Sequence, residues 1–141
     1  MKIKTLAASA AALTVLAANP SAAHHGDAGR FEEATTTLEG TVVALQLVNP
    51  HSVIIFSVED EAGIRETWQA ELGGPQTLTR NFGWNRDTLK AGDRISITGR
   101  VVKSGAPQIN LTERARIVRL PGCEEIYVSN SPPEEPLACE N

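Results

Sequence analysis

Between residues 35 and 119 apolar side chains recur at the two-residue spacing of strands, interrupted once by a short stretch at helical spacing. Residues 35–48 are rich in Thr, Val and Leu with Gly40 inside, which predicts a strand bent or bulged at the glycine. Asn49-Pro50 ends it. Residues 53–58 resume as a strand, 60–63 supply a turn, and 64–71 return as the second arm of a hairpin. Opposed residues of an antiparallel pair share a face, and Trp68 needs an apolar partner. Pairing Val58 with Ile64 sets Phe56 opposite Glu66, Ile54 opposite Trp68 and Ser52 opposite Ala70. The same register sets His51 opposite Glu71, with Cβ atoms about 5 Å apart.

After Gly73-Gly74, residues 75–81 place Pro75 at a first helical position and Leu78 four residues from Phe82, a short helix that Gly83 caps. Residues 89–93 make a turn into the alternating strand 94–98, whose Ile95 and Ile97 face one way. Gly99 allows a bend before Val101-Val102. A turn at 104–107 leads to a last strand, 109–118, with Ile109, Leu111, Ala115 and Ile117 as inward candidates. Three strands, a short helix and two strands, with glycines where strands curve, predict an all-β fold. It is a small five-stranded OB-like Greek-key barrel with one short helix between strands 3 and 4.

The first residues change the picture of address. Lys2 and Lys4 precede an apolar run, 6–18, too short to span a bilayer, and Ser21 and Ala23 suit a signal peptidase. The chain therefore divides into a signal peptide (1–23), an N-terminal arm (24–34), the barrel (35–120) and a C-terminal extension (121–141). This predicts a periplasmic or secreted protein with no membrane insertion after cleavage. Losing Lys2 and Lys4 takes the formal charge from −4 to −6. The remaining Arg and Lys are scattered among carboxylates, which argues against nucleic acid as a partner. In an oxidising compartment Cys123 and Cys139, the two cysteines of the chain, pair and close the Pro-rich extension.

The chain resembles a family of exported bacterial proteins that carry a domain of unknown function. The resemblance rests on His24-His25, Gly40-Thr41-Val42, Asn49-Pro50-His51, Trp68 through Glu71, Gly83-Trp84 and the stretch 89–99, and it extends from Thr35 to about Arg119. It implies a small secreted OB-like barrel and brings no established activity. The sequence departs from the family pattern at Ser52-Val53, where an aromatic often follows the Asn-Pro-His turn, and in the tail after Pro121.

Candidate chemistry centres on the expected new N-terminus. A cut after Ala23 leaves an α-amine beside the ring of His24. A cut after Ala22 lets the amine of Ala23, two amides and the His25 ring form a square-planar site. Either donor set suits copper(II) better than zinc, with His51 as a further nitrogen if the arm folds back. Glu71 is then the outer partner that fixes the His51 tautomer, or a weak oxygen ligand. The competing reading makes His24 and His25 a plain start segment and the barrel a saccharide- or protein-binding module without metal. Trp84 is the candidate on that ligand face, or a cover for the core. Glu59, Asp60 and Glu61 read as a solvated turn without calcium spacing. Ser52 and His51, adjacent on a strand, point to opposite faces. No enzyme motif is present, so the expectation is a non-catalytic protein, copper its one possible cofactor, with an unknown protein or small ligand as partner.

Overall fold

Residues 29–137 and Cys139 are described by the structure, a computed structural model. Among them run β1 (Thr36–Gln46), β2 (Val53–Glu59), β3 (Arg65–Glu71), α1 (Pro75–Phe82), β4 (Arg94–Val101), β5 (Gln108–Asn110), β6 (Arg116–Leu120) and β7 (Glu124–Val128). Antiparallel ladders join β1 to β2, β2 to β3, β5 to β4 and β4 back to β1, while β3 and β5 pair in parallel. The result is a closed five-stranded mixed barrel in the expected OB-like order. β6 and β7 are two further strands, added where β6 pairs with β4 and β7 with β6.

Alternation carries the apolar side chains inward. Val42, Ile54, Phe56, Ala70, Ile95 and Ile97 are buried, joined by Leu78 of α1 and by Leu89. Leu78 is the buried residue of α1, which ends as expected at Gly83, whose N–H bonds the Thr79 carbonyl. The two halves of β1 part next to Gly40: Thr36 to Thr41 pair with β4, and Thr41 to Gln46 pair with β2. A Cβ at Gly40 would lie 2.6 Å from the Ser57 carbonyl oxygen and 2.8 Å from the Phe56 ring, so the crossing needs glycine.

The β2–β3 hairpin is real, but its register differs by two residues from the sequence expectation. Phe56 faces Trp68, Ile54 faces Ala70 and Val58 faces Glu66. The cause is Asp60. Its backbone N–H bonds the Ile64 carbonyl, and its carboxylate accepts the N–H groups of Ala62 and Ile64. The hairpin therefore closes on a three-residue loop with Gly63 in the left-handed region (φ 79°), not on the longer loop that pairing Val58 with Ile64 requires. A two-residue shift preserves which face each side chain takes, so the inward set is unchanged.

The expected last strand, 109–118, is two strands. Asn110 Oδ1 accepts the N–H and hydroxyl of Thr112, and Arg114 adopts a positive φ of 48°, so the chain turns between β5 and β6. β5 reaches across to β3, and β6 drops back along the first half of β4. The four inward candidates are nonetheless all buried. β4 runs through Gly99 to Val101, and the glycine stands where its partner changes from β6 to β5. Beyond Pro121 the chain was expected to be an extension closed by the disulfide, and part of it is β7. Tyr127 of β7 is buried, donates to the Leu111 carbonyl at 2.7 Å, and packs on Phe82 and Trp84.

Gly40→Ala should cost about 1–3 kcal/mol, because backbone rather than a flexible side chain occupies the Cβ position. Urea unfolding monitored by tryptophan fluorescence measures it; an unchanged midpoint would contradict the close crossing.

Candidate functional site

The connection from β1 to β2 carries His51 to the end of the β2–β3 ladder. Beyond the strand ends the pairing continues through two backbone bonds, Ser52 N–H to the Gly73 carbonyl and Leu72 N–H to the Ser52 carbonyl. Ser52 is consequently buried and His51 turned out. The Ser52 hydroxyl has no hydrogen-bond partner among the described residues. His51 Nδ1 lies 3.1 Å from Glu71 Oε1, with the two side chains 50% and 39% exposed. The residues that the sequence set opposite one another thus do meet. They do so diagonally, because Val53 is the residue opposite Glu71.

Glu71 also lines a small cleft with Val53, Gln69, Gln108, Ile109, Arg30 and Phe31. The last two belong to the arm before β1. Phe31 forms an isolated antiparallel bridge with Val102, flanked by bonds from Glu32 N–H to the Val101 carbonyl and from Lys103 N–H to the Arg30 carbonyl. The residue is 5% exposed, and the guanidinium groups of Arg30 and Arg100 lie 5.2 and 5.8 Å from its ring centroid. Arg30 Nη2 donates to Gln108 Oε1 at 3.1 Å. Sequence reasoning missed Phe31. A single aromatic inside Arg30-Phe31-Glu32-Glu33 was the available signal, since an apolar ring in a polar arm needs cover.

Trp84 belongs to the core. It is 2% exposed and its Nε1 donates to the Ile126 carbonyl, which leaves no ring face for stacking on a ligand. Glu59 pairs with Arg65, and Asp60 closes the turn already described. His24 and His25 lie outside the described residues. Among the described residues no group of three or more His, Cys, Asp or Glu side chains could hold a metal ion.

The C-terminal segment forms a strap that starts and ends at the Cys123–Cys139 disulfide, with Cα atoms 5.8 Å apart. Arg114 N–H bonds the Ser131 carbonyl, Pro133 is buried, and Arg116 Nη1 donates to the Glu135 carbonyl. The Glu135 carboxylate accepts the Thr35 hydroxyl, which holds its pKa below the usual carboxylate value. The strap thereby touches the base of the arm. Among the described residues no helix is long and apolar enough to cross a membrane, and the disulfide suggests an oxidising, extracytoplasmic setting.

These features define a small closed β-barrel domain with two strands and a disulfide strap added to it. The chain belongs to a family of unknown function, DUF6152, whose family model matches residues 12–110. The match ends with β5, the strand that closes the barrel. Neither a curated protein nor a solved structure matches the chain.

Replacing Cys123 and Cys139 by Ser should lower stability by about 3 kcal/mol, the chain-entropy value for a loop of this length; guanidinium unfolding with and without reductant checks it. Phe31→Ala should destabilise by about 3 kcal/mol and expose the arm to limited proteolysis before the barrel. Because the folded pKa of Glu135 is depressed, its contact with Thr35 stabilises fully above the unfolded carboxylate pKa and fades as the pH falls through the folded value. Thr35→Val should therefore flatten the acid limb of the stability profile.

Proposed function

We propose that this protein is an exported, non-catalytic copper(II)-binding barrel in which His51 completes a site begun by the histidines of the N-terminal arm. One observation carries the reading: His51, outward and half exposed, has Nδ1 against Glu71, and Glu71 shares its cleft with the arm residues Arg30 and Phe31. With Nδ1–H donated to the carboxylate, Nε2 is the nitrogen offered to a metal. Five peptide units separate Arg30 from His25, a span of at most about 17 Å. Arm and rim are therefore within one short tether.

The donor chemistry supports copper(II). An α-amine and two or three imidazole nitrogens form a nitrogen-rich set, which that ion favours in tetragonal geometry. The cleft beside Glu71 is about 30 Å³, room for an ion's water ligands and too small for a saccharide ring. The arm is pinned at Phe31, so less of its freedom remains to be lost when a metal joins it to the rim.

Copper(II) titrated into the mature protein, followed by visible absorption and electron paramagnetic resonance, tests the reading. His51→Ala should weaken binding and change the nitrogen hyperfine pattern, and Glu71→Gln should weaken it roughly 10- to 100-fold. Binding no tighter than buffer competition ends the proposal. Binding that ignores both substitutions confines the metal to the N-terminus and removes the barrel from the site.

A further inference from the structure

The strap that follows β7 adheres to the barrel by few contacts of its own. Between Asn130 and Leu137, Pro133 is the one buried residue, while Ser131, Pro132, Glu134 and Glu135 are exposed. Its carbonyls take two bonds from the barrel, at Ser131 from the Arg114 N–H and at Glu135 from Arg116 Nη1. Pro132, Pro133 and Pro136 carry no N–H, so the strap cannot join a ladder. Fixing the backbone of one residue costs about as much as one hydrogen bond returns, and contacts this few do not order a segment of this length. The Cys123–Cys139 bond supplies what is lacking, by tying the far end of the strap beside the start of β7.

Two of the described non-glycine residues have a positive φ, Cys123 at 54° and Arg114 at 48°. Both are attachment points of the strap, Cys123 through its sulfur and Arg114 through the N–H that bonds Ser131. The left-handed region is unfavourable for a residue with a Cβ and persists only where the surroundings hold it. Release of the strap removes that hold at both points. The two cysteines are partly exposed, so a small thiol can reach the bond between them.

The arm is fastened to the barrel at Glu32, whose N–H bonds the Val101 carbonyl, and again where Thr36 pairs with Gly99. Between these points it rests on the strap. The Thr35 hydroxyl donates to the Glu135 carboxylate, and Glu33 lies 3.7 Å from Arg114, the residue whose backbone the strap holds. Glu33, Ala34 and Thr35 of the arm and Glu134 and Glu135 of the strap line one cavity of about 250 Å³ with Arg114.

We propose that the strap is a thiol-controlled latch on the N-terminal arm, which a dithiol reductant opens and exchange with a disulfide closes again. A thiolate of the reductant attacks one sulfur of the bridge and forms a mixed disulfide, while the other cysteine leaves as a thiolate and is protonated. The second thiol of the reductant displaces the remaining cysteine and ends as the reductant's own disulfide, so two electrons and two protons pass to Cys123 and Cys139. The freed strap takes Glu135 from Thr35 and lets Arg114 relax away from Glu33. The segment from Glu33 to Thr35 then gains freedom while the barrel ladders persist. The latch involves no metal and does not rest on the copper reading.

Backbone order parameters of the full mature chain, measured by nuclear magnetic resonance with the bond intact and after dithiothreitol, test the latch. With the bond intact, residues 33–35 and Ser131, Glu134 and Glu135 should lie near the rigid value of about 0.85. On reduction both groups should fall below about 0.6 while Phe56 and Ile97 keep their values. A strap that stays ordered on reduction overturns the proposal, as does a strap that loosens and leaves 33–35 rigid. A reduced chain that unfolds altogether overturns it too, because the bond then staples the whole fold. Thr35→Val gives a second measurement with the bond untouched: positions 34 and 35 should loosen while the strap stays ordered, and unchanged values there break the link between strap and arm.

Discussion

The barrel depends on β4 forming ladders along both of its edges. One edge takes the first half of β1, and the other is divided between β6, opposite Arg94 to Thr98, and β5, opposite Arg100 and Val101. This division lets two short strands, β5 and β6, share one edge of β4. β5 reaches β3 only because it leaves β6 to cover the rest of β4, and the parallel β3–β5 pairing is the step that closes the barrel. Ile95 and Ile97 are fully buried within that shared strand, so a change there loosens ladders on both sides.

Closure leaves the two terminal segments to pack outside, and each is held by an apolar anchor. Phe31 lies under two guanidinium groups on one side of the barrel, while Pro133 and Tyr127 sink the strap and β7 on another. The Arg114–Glu33 and Arg119–Glu124 pairs are solvent-exposed and individually contribute little. Burial of a few rings, together with the disulfide, stabilises the ends. Thr35 with Glu135 joins the base of the arm to the strap, so both additions meet at the point where β1 begins.

The polar features of the barrel surface separate by place. His51 and Glu71 sit at the end of the β2–β3 ladder, whereas the contact of Thr35 with the strap lies where the arm enters β1. The arm thus has Glu71 beside Arg30 and Phe31 and the strap beside Thr35. The first place has nitrogen and oxygen donors, and the second has a segment closed by a disulfide, so they answer to different chemistry.

The sequence by itself determined the alternation that selects the inward side chains, the helix between β3 and β4, the Cys123–Cys139 pairing and the placement of His51 and Glu71 on one face at the same end of the hairpin. All of these follow from local spacing or from having a single possible partner. Register, strand partition and the roles of Trp84 and Phe31 were decided only in three dimensions. Asp60 shifted the hairpin by two residues through bonds to its own turn, a choice that face alternation cannot distinguish because both registers bury the same residues. The split of residues 109–118 reflects two separate partners, β3 and β4, and a periodic run carries no sign of which strand each half will meet. Trp84 entered the core because the Ile126 carbonyl of β7 lay there to accept its indole N–H, and Phe31 found cover on β4. Local pattern states what a residue needs; the tertiary structure states which distant group supplies it.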